Sequence, residues 1–142
     1  MEMNGTDNKR KRINADIEHR KSAGASCSEA TLLGIFDNLE SPLGEDALKA
    51  VAAGFRGGIG GTHDEGTCGA LSAGVIALGL LYPNDGKAAA AASKELYNHF
   101  KQQQGAVACA RIMGSNGKKN CLGCCLCAGD KVAEIVRRKE KP

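Results

Sequence analysis

The sequence has few aromatic residues and no long apolar run. Tryptophan is absent, and phenylalanine and tyrosine make up 4% of the 142 residues, against 19 glycines. With so few rings, the core must be built by close approach of helices rich in small residues. The longest apolar run, residues 70–81, contains serine and glycine and is shorter than the ~20 residues that a membrane helix needs. The N-terminus lacks a hydrophobic signal segment, so we expect a soluble cytoplasmic protein.

Charge of one sign is also in small excess. The net charge is +3 at pH 7, and much of it comes from the run Lys9-Arg10-Lys11-Arg12. Such a run can contact nucleic acid or another anionic surface, or it can be a solvated tail. Because the rest of the chain is charge-balanced, we favour the tail and expect no nucleic acid partner. The sequence predicts a disordered basic tail over residues 1–12 and a single helical domain over 13–142.

Cysteine is the abundant residue that can bind metals or react chemically. The chain has seven cysteines, an odd number that does not suit the disulfide framework of a secreted protein. In a reducing compartment such a set indicates metal ligation or thiol chemistry.

Helical periodicity dominates the chain, and no segment shows the alternation typical of a strand. The predicted helices cover about residues 10–21, 27–39, 68–81, 87–104 and 106–113; another begins at Glu45 and a last one follows the cysteines at 121–127. Ser26 and Glu29 match a capping box. The sequence predicts an all-α fold, a compact bundle of five to seven helices with a glycine-rich loop before the central helix.

The glycine-rich loop leads directly to Cys68. Glycine's access to positive φ lets the backbone approach closely whatever that sulfur holds. Thr67 is the predicted N-cap and Cys68 the predicted first helical residue, where free N–H groups and the helix dipole favour a thiolate. Gly61 and Gly66 have the spacing of a phosphate loop, but the Lys-Ser or Lys-Thr that should follow is missing, so nucleotide binding is not expected.

Cysteines recur near predicted helix starts. Cys27, Cys68 and Cys109 each lie at one, and a cluster at residues 121–127 precedes the last helix. Buried structural cysteines scatter along helix faces, so these positions indicate one shared site, although each cysteine alone could be an inert thiol. Helix N-termini that meet there would offset the charge of thiolates bound to iron or zinc.

Several charged residues lie close to these cysteines in sequence. His63, Asp64 and Glu65 precede Cys68 and could relay a proton or supply a non-thiolate ligand, but we favour an exposed loop tip. Arg56 and Arg111 flank the predicted site and could stabilise a thiolate cluster.

Several segments resemble the C_GCAxxG_C_C family of redox-active proteins, a module also found in split-Soret cytochrome c. They are, in chain order, residues 24–30 around Cys27, the glycine run at 53–61, the motif Thr67-Cys68-Gly69-Ala70, residues 107–114 around Cys109, and a cysteine before residues 131–136. The resemblance covers about residues 15–136. It implies a helical domain whose four cysteines form a redox or iron–sulfur site, and the split-Soret relative suggests a 2Fe–2S cluster.

The chain departs from the family pattern in three places. Ala73 stands where the motif's second glycine is expected, with Gly74 one residue later, and the segment 61–66 is slightly longer than usual. The family's last cysteine is single, whereas this chain offers four; the downstream Ala-Glu-Ile pattern favours Cys125 and the following Gly-Asp pair favours Cys124. The ligands implied by the resemblance are Cys27, Cys68, Cys109 and either Cys124 or Cys125.

Three functions are compatible with the sequence. The first is an electron-transfer or redox-sensing module in which these cysteines hold an iron–sulfur cluster. The second is a thiol–disulfide redox enzyme in which Cys68 is the reactive thiolate and a clustered cysteine resolves the mixed disulfide. The third is a structural zinc-binding interaction module. The expected partner is a redox protein, with a homodimer as an open alternative.

Overall fold

The computed structural model describes residues 5–114 and 121–140. That part of the chain contains seven helices and no strand. They are α1 (Gly5–Ser22), α2 (Cys27–Phe36), α3 (Glu45–Ala53), α4 (Gly69–Leu81), α5 (Gly86–Gln104), α6 (Cys109–Gly114) and α7 (Cys121–Glu140). The predicted all-α bundle is confirmed. Among the described helices, none is both long and apolar enough to cross a bilayer.

Helix α2 lies in the middle of the bundle. It packs against α1, α3, α4 and α7, and residues 30–35 are buried without interruption. Helix α4 packs against α2, α5 and α7. Fully buried side chains of five helices form the core between them; they include Ile13, Ile17, Leu32, Leu33, Ile35, Leu71, Leu78, Leu96, Phe100, Val132 and Ile135.

Glycines let the helices approach closely. A Cβ atom on Gly34 of α2 would lie 2.5 Å from Cγ1 of Ile17, and one on Gly129 of α7 would lie 2.8 Å from Cδ1 of the same side chain. Ile17 of α1 therefore fits between two helices at points where neither has a side chain. On α4, a Cβ on Gly74 would lie 2.7 Å from Cδ2 of Leu96, so the close approach of α5 uses Gly74, while the neighbouring Ala73 is itself fully buried.

Side chains and glycine set several helix ends. The Ser26 Oγ accepts the Glu29 N–H at 3.2 Å, as the predicted capping interaction requires. Helix α2 ends at Phe36, three residues earlier than predicted, and its C-cap Asp37 accepts two hydrogen bonds from Arg20, both at 2.8 Å. Helix α5 ends at Gln104, and its C-cap Gly105 adopts a left-handed conformation with φ of 82°.

The basic run near the N-terminus is helical. The predicted disordered tail is wrong for residues 5–12, which belong to α1, while residues 1–4 lie outside the described residues. Lysine and arginine are good helix formers, and the buried Ile13 and Ile17 anchor this helix to the bundle. The run is therefore held at a fixed place on the surface. The single domain over 13–142 stays a prediction.

Candidate functional site

Five cysteines line one cavity of about 100 Å³. They are Cys27, Cys68, Cys109, Cys121 and Cys124, and the wall is completed by Gly57, His63, Gly69 and Ile112. The cysteines come from the starts of α2, α6 and α7 and from the residue before α4. The fold thus brings the three isolated cysteines of the sequence together with two from the cluster at 121–127.

Backbone hydrogen bonds hold the glycine loop against the segment that leads into α6. The N–H groups of Cys68, Cys109 and Ala110 donate to the carbonyls of Val107, Gly66 and His63, at 2.7, 3.0 and 2.7 Å respectively. Thr67 and Ala108 form an isolated antiparallel bridge between the same two segments. This pairing places Cys68 and Cys109 side by side on the cavity wall.

The glycine loop also brings a histidine to the cavity. Gly57, Gly58, Gly60 and Gly61 have φ angles of 62°, 94°, 59° and 80°, which other residues rarely adopt. A Cβ on Gly57 would lie 2.8 Å from the imidazole Cε1 of His63, so only glycine leaves room for this ring. The ring's Nδ1 lies 3.4 Å from the Cys109 Sγ.

Of the charged residues that lie near the cysteines in sequence, some line the cavity and others do not. His63 is exposed, as the favoured loop-tip interpretation expects, and it also belongs to the cavity wall. Asp64 and Glu65 are exposed, as that interpretation expects, and are outside the lining. Arg56 and Arg111 are exposed, and neither is among the described residues that line the cavity.

The start of α4 stabilises negative charge on Cys68. The N-cap is Cys68 itself and the helix begins at Gly69, one residue later than predicted. The pKa of the Cys68 thiol is lowered chiefly by a hydrogen bond with the Cys124 thiol, and further by the N–H groups of Ala70 and Leu71. Free N–H groups at a helix start therefore act on this sulfur, as predicted, although the cap is shifted by one position.

Cys27 is the second sulfur that favours the thiolate. Hydrogen bonding with the Cys125 thiol is the largest cause that lowers its pKa to about 6, and Lys21 and Cys121 act in the same direction. The Lys21 ammonium lies 3.7 Å from the Cys27 Sγ. A cation beside a partly exposed thiol is the usual setting of a reactive cysteine.

The neighbouring thiols of α7 are the protonated partners. The pKa of Cys124 is raised by its hydrogen bond to Cys68, and that of Cys125 by its hydrogen bond to Cys27, with burial adding to both. Burial first and the charge of Cys27 second raise the pKa of Cys121 to about 11. Cys27 with Cys125 and Cys68 with Cys124 thus form two thiol pairs in which the pKa of the first member is lowered and that of the second is raised. The Cys124 thiol also donates to the Oε1 of Gln104 at 3.6 Å.

Cys27 is expected to be the fastest of the seven thiols to react with iodoacetamide near neutral pH in reduced, metal-free protein. The pH profile of its alkylation, followed by peptide mass spectrometry, should have a midpoint near 6. Lys21→Met should move that midpoint upward because the ammonium stabilises the thiolate, whereas Lys49→Met, at an exposed lysine of α3, should not. A Cys27 midpoint that is the same in all three proteins would contradict this assignment.

Two cysteines of the cluster at 121–127 are outside the cavity lining. Cys125 is fully buried, and its thiol donates to the carbonyl of Cys27 at 3.7 Å, so it lies behind that residue. Cys127 is partly buried and its pKa is raised by burial. Of the two candidates for the family's last cysteine, Cys124 lines the cavity.

Two contributors were not among the predicted ligands. Cys121, one of the four cysteines left open for the last ligand, lies on the wall because it shares a helix face with Cys124, three residues later. Lys21 precedes the first motif and no local pattern marks it; only the turn between α1 and α2 brings its ammonium to Cys27.

The cysteine set fits an iron–sulfur cluster in its chemistry. Cysteine thiolates are the usual protein ligands of such clusters, and the cavity offers five thiols from separate parts of the fold. Within residues 5–114 and 121–140, no group of three or more His, Cys, Asp or Glu side chains is arranged to hold a single metal ion.

Comparison with known proteins gives one match. The sequence model of the family described as "Putative redox-active protein (C_GCAxxG_C_C)" matches residues 25–137. The matched region contains all seven cysteines and both thiol pairs. No curated protein and no solved structure matches the chain significantly.

Proposed function

The chain belongs to the C_GCAxxG_C_C family of redox-active proteins, and we propose on that premise that it holds an iron–sulfur cluster for electron transfer or redox sensing. The observation that carries the proposal is the single cavity lined by cysteines from separate chain segments. The proposed ligands are Cys27, Cys68, Cys109 and Cys124. We prefer Cys124 to Cys125 because the former lines the cavity and the latter lies buried behind Cys27.

The surroundings of these sulfurs suit an anionic centre. Two ligands, Cys27 and Cys68, are already disposed to be thiolates, by thiol hydrogen bonds together with the Lys21 ammonium or the first N–H groups of α4. Cys68 and Cys124 are 5% and 2% exposed, so water has little access to that side of the cavity. Hydrogen bonds to sulfur and low solvent exposure tune the potential of such centres. When bound, the cluster would supply reversible one-electron storage.

Anaerobic purification and reconstitution with iron and sulfide test the proposal. We expect a coloured protein whose iron and sulfide contents agree with one cluster per chain, with an EPR signal in one redox state. Elemental analysis of protein purified without air is the decisive companion measurement. Colourless protein with full zinc occupancy would refute the cluster and support the structural zinc module.

A second candidate is thiol–disulfide exchange, which is favoured by the lowered pKa of Cys68 beside the raised pKa of Cys124. The Cys68 thiolate would attack a substrate disulfide, form a mixed disulfide and release one substrate thiolate. Cys124, after losing its proton, would attack the Cys68 sulfur, release the second substrate thiolate and leave a Cys68–Cys124 disulfide. The substrate gains the two electrons that the cysteine pair loses.

Thiol titration against redox potential separates the two candidates. Metal-free, folded protein that shows a two-electron couple, lost in Cys124→Ser, would favour the exchange enzyme. If the metal-free protein shows no such couple, thiol–disulfide exchange is excluded.

A further inference from the structure

Two basic runs that are far apart in sequence meet at one end of the fold. The first is Lys9-Arg10-Lys11-Arg12 on α1, and the second is Arg137-Arg138-Lys139 near the end of α7. Helices α1 and α7 pack against each other, and Lys9 reaches Glu140 at 3.4 Å while Arg10 reaches Asp130 at 3.6 Å. We call the surface formed by these two runs together with Lys131 the basic end.

The basic end holds a large share of the cations of the protein. It contains eight of the 19 lysines and arginines. The acidic side chains that pair, alternate or share a groove with them are fewer: Glu40, Glu95, Asp130, Glu134 and Glu140. This local excess of cations favours an anionic partner.

Cationic side chains of the patch face solvent even where they take part in ion pairs. Arg10, Lys11 and Arg12 are all exposed, and Arg10 is so although it pairs with Asp130. A groove of about 340 Å³ between α1, α5 and α7 is lined by Arg10, Lys131 and Arg137 as well as by His99 and two carboxylates. Arginine and lysine in this density are the groups that contact phosphate oxygens.

From this surface we infer that the basic end binds the phosphate backbone of duplex nucleic acid. Single-stranded nucleic acid needs aromatic side chains on which bases stack, and Tyr82, the tyrosine at this end, is covered by the Lys139 ammonium at 5.3 Å from its ring centre. Binding that depends on backbone phosphates alone is independent of base sequence and falls steeply with salt.

A membrane surface fits the patch less well. Amphipathic helices that lie on membranes bury large apolar side chains beside their cations. The exposed large hydrophobics of the described residues are Val51, Ile59, Val75, Tyr97 and Leu122, and none of them lies on α1 or on the second half of α7. The patch has the cations of a lipid-binding helix but lacks the exposed apolar side chains that such a helix buries in the membrane.

The basic end lies away from the cysteine cavity. The cavity uses the start of α7 and, through Lys21, the end of α1, whereas the two basic runs lie at the opposite ends of both helices. From Cys124 to Arg137 the helix rises about 20 Å. Nucleic acid bound at the basic end would leave the cavity uncovered, and the inference does not depend on which cofactor the cavity takes.

Fluorescence anisotropy with a labelled DNA duplex of arbitrary sequence tests the inference on the full chain. Wild-type protein should bind at low salt, with an affinity that falls as salt rises. The variant Lys11→Gln/Arg12→Gln should bind at least ~10-fold more weakly, with a salt slope smaller by about two. The matched variant Lys49→Gln/Lys101→Gln removes the same charge from exposed sites on α3 and α5 and should bind within about twofold of wild type.

Three results would overturn the inference: no binding of the duplex at low salt, equal weakening by both double variants, or binding to phosphatidylserine vesicles without binding to the duplex. Circular dichroism and iron content should be the same in both variants as in wild type. A protein that contains iron but does not bind DNA would support the cluster proposal and contradict this inference. A protein that binds DNA but contains no iron would support this inference and contradict the cluster proposal.

Discussion

Replacing Cys68 by serine is expected to abolish the iron–sulfur cluster in reconstituted protein. The sulfur of Cys68 faces the cavity and is stabilised as a thiolate by Cys124 and by the first turn of α4. Removing a supporting partner of a ligand typically costs ~10–100-fold in metal affinity, so removing a ligand itself should cost more. The measurements are iron and sulfide content and visible absorption after anaerobic reconstitution.

Cys127→Ser is the matched control for this substitution. Cys127 belongs to the same cluster of cysteines but is outside the cavity lining, so this variant should keep its iron. Cys68→Ala and a thermal melt of each protein show whether lost iron reflects lost folding. Folded Cys68→Ser and Cys68→Ala proteins with the wild-type iron content would refute the ligand assignment.

Gly69→Ala is expected to destabilise the protein strongly, while Gly79→Ala on the same helix is expected to stabilise it. A Cβ on Gly69 would lie 2.6 Å from the carbonyl oxygen of Phe55 and 3.3 Å from the backbone nitrogen of Ser28. Backbone atoms cannot turn away, so we expect a loss of at least ~1–3 kcal/mol. Around Gly79 no atom lies within 4 Å of an added Cβ, and alanine should gain about 0.5–1 kcal/mol through helix propensity.

Urea denaturation of the two variants and the wild type, compared at equal m-value, measures both changes. Opposite signs of the two free-energy changes are the expected result. An unfolding free energy of Gly69→Ala equal to that of wild type would contradict the close approach of the α4 start to α2 and to the residues after α3. Because Gly69 also lines the cavity, the destabilised variant should lose iron together with its fold.

Much of the fold could be read from local patterns. Ser26 and Glu29 mark the start of α2, Gly105 ends α5, and apolar periodicity gives the helices between them. Two predictions of helix bounds were wrong. Residues 5–12 were predicted to be a solvated tail because of their charge, yet the two isoleucines that follow anchor them to the bundle as part of a helix. Helix α2 ends at Phe36, before the end of the apolar pattern that predicted it.

The sequence predicted part of the candidate site, and the structure added residues that the sequence could not assign. The positions of Cys27, Cys68 and Cys109 at helix starts indicated a shared site, and the three line one cavity. The choice between Cys124 and Cys125 could not be made from sequence, because adjacent residues of a helix point about 100° apart and only packing decides which faces the cavity. The nearest charged neighbour of Cys27 was missed for a similar reason, since Lys21 reaches it across a turn.

The sequence by itself determined the all-helical class, the family and the cysteines that can carry redox chemistry, because these depend on residue type and short spacing. Only the tertiary structure decided which thiols pair, which face the cavity and where the cations collect. Each thiol pair joins α7 to a distant part of the chain, as the ion pairs between α1 and α7 also do. Such contacts form when helices pack, and no local pattern encodes them.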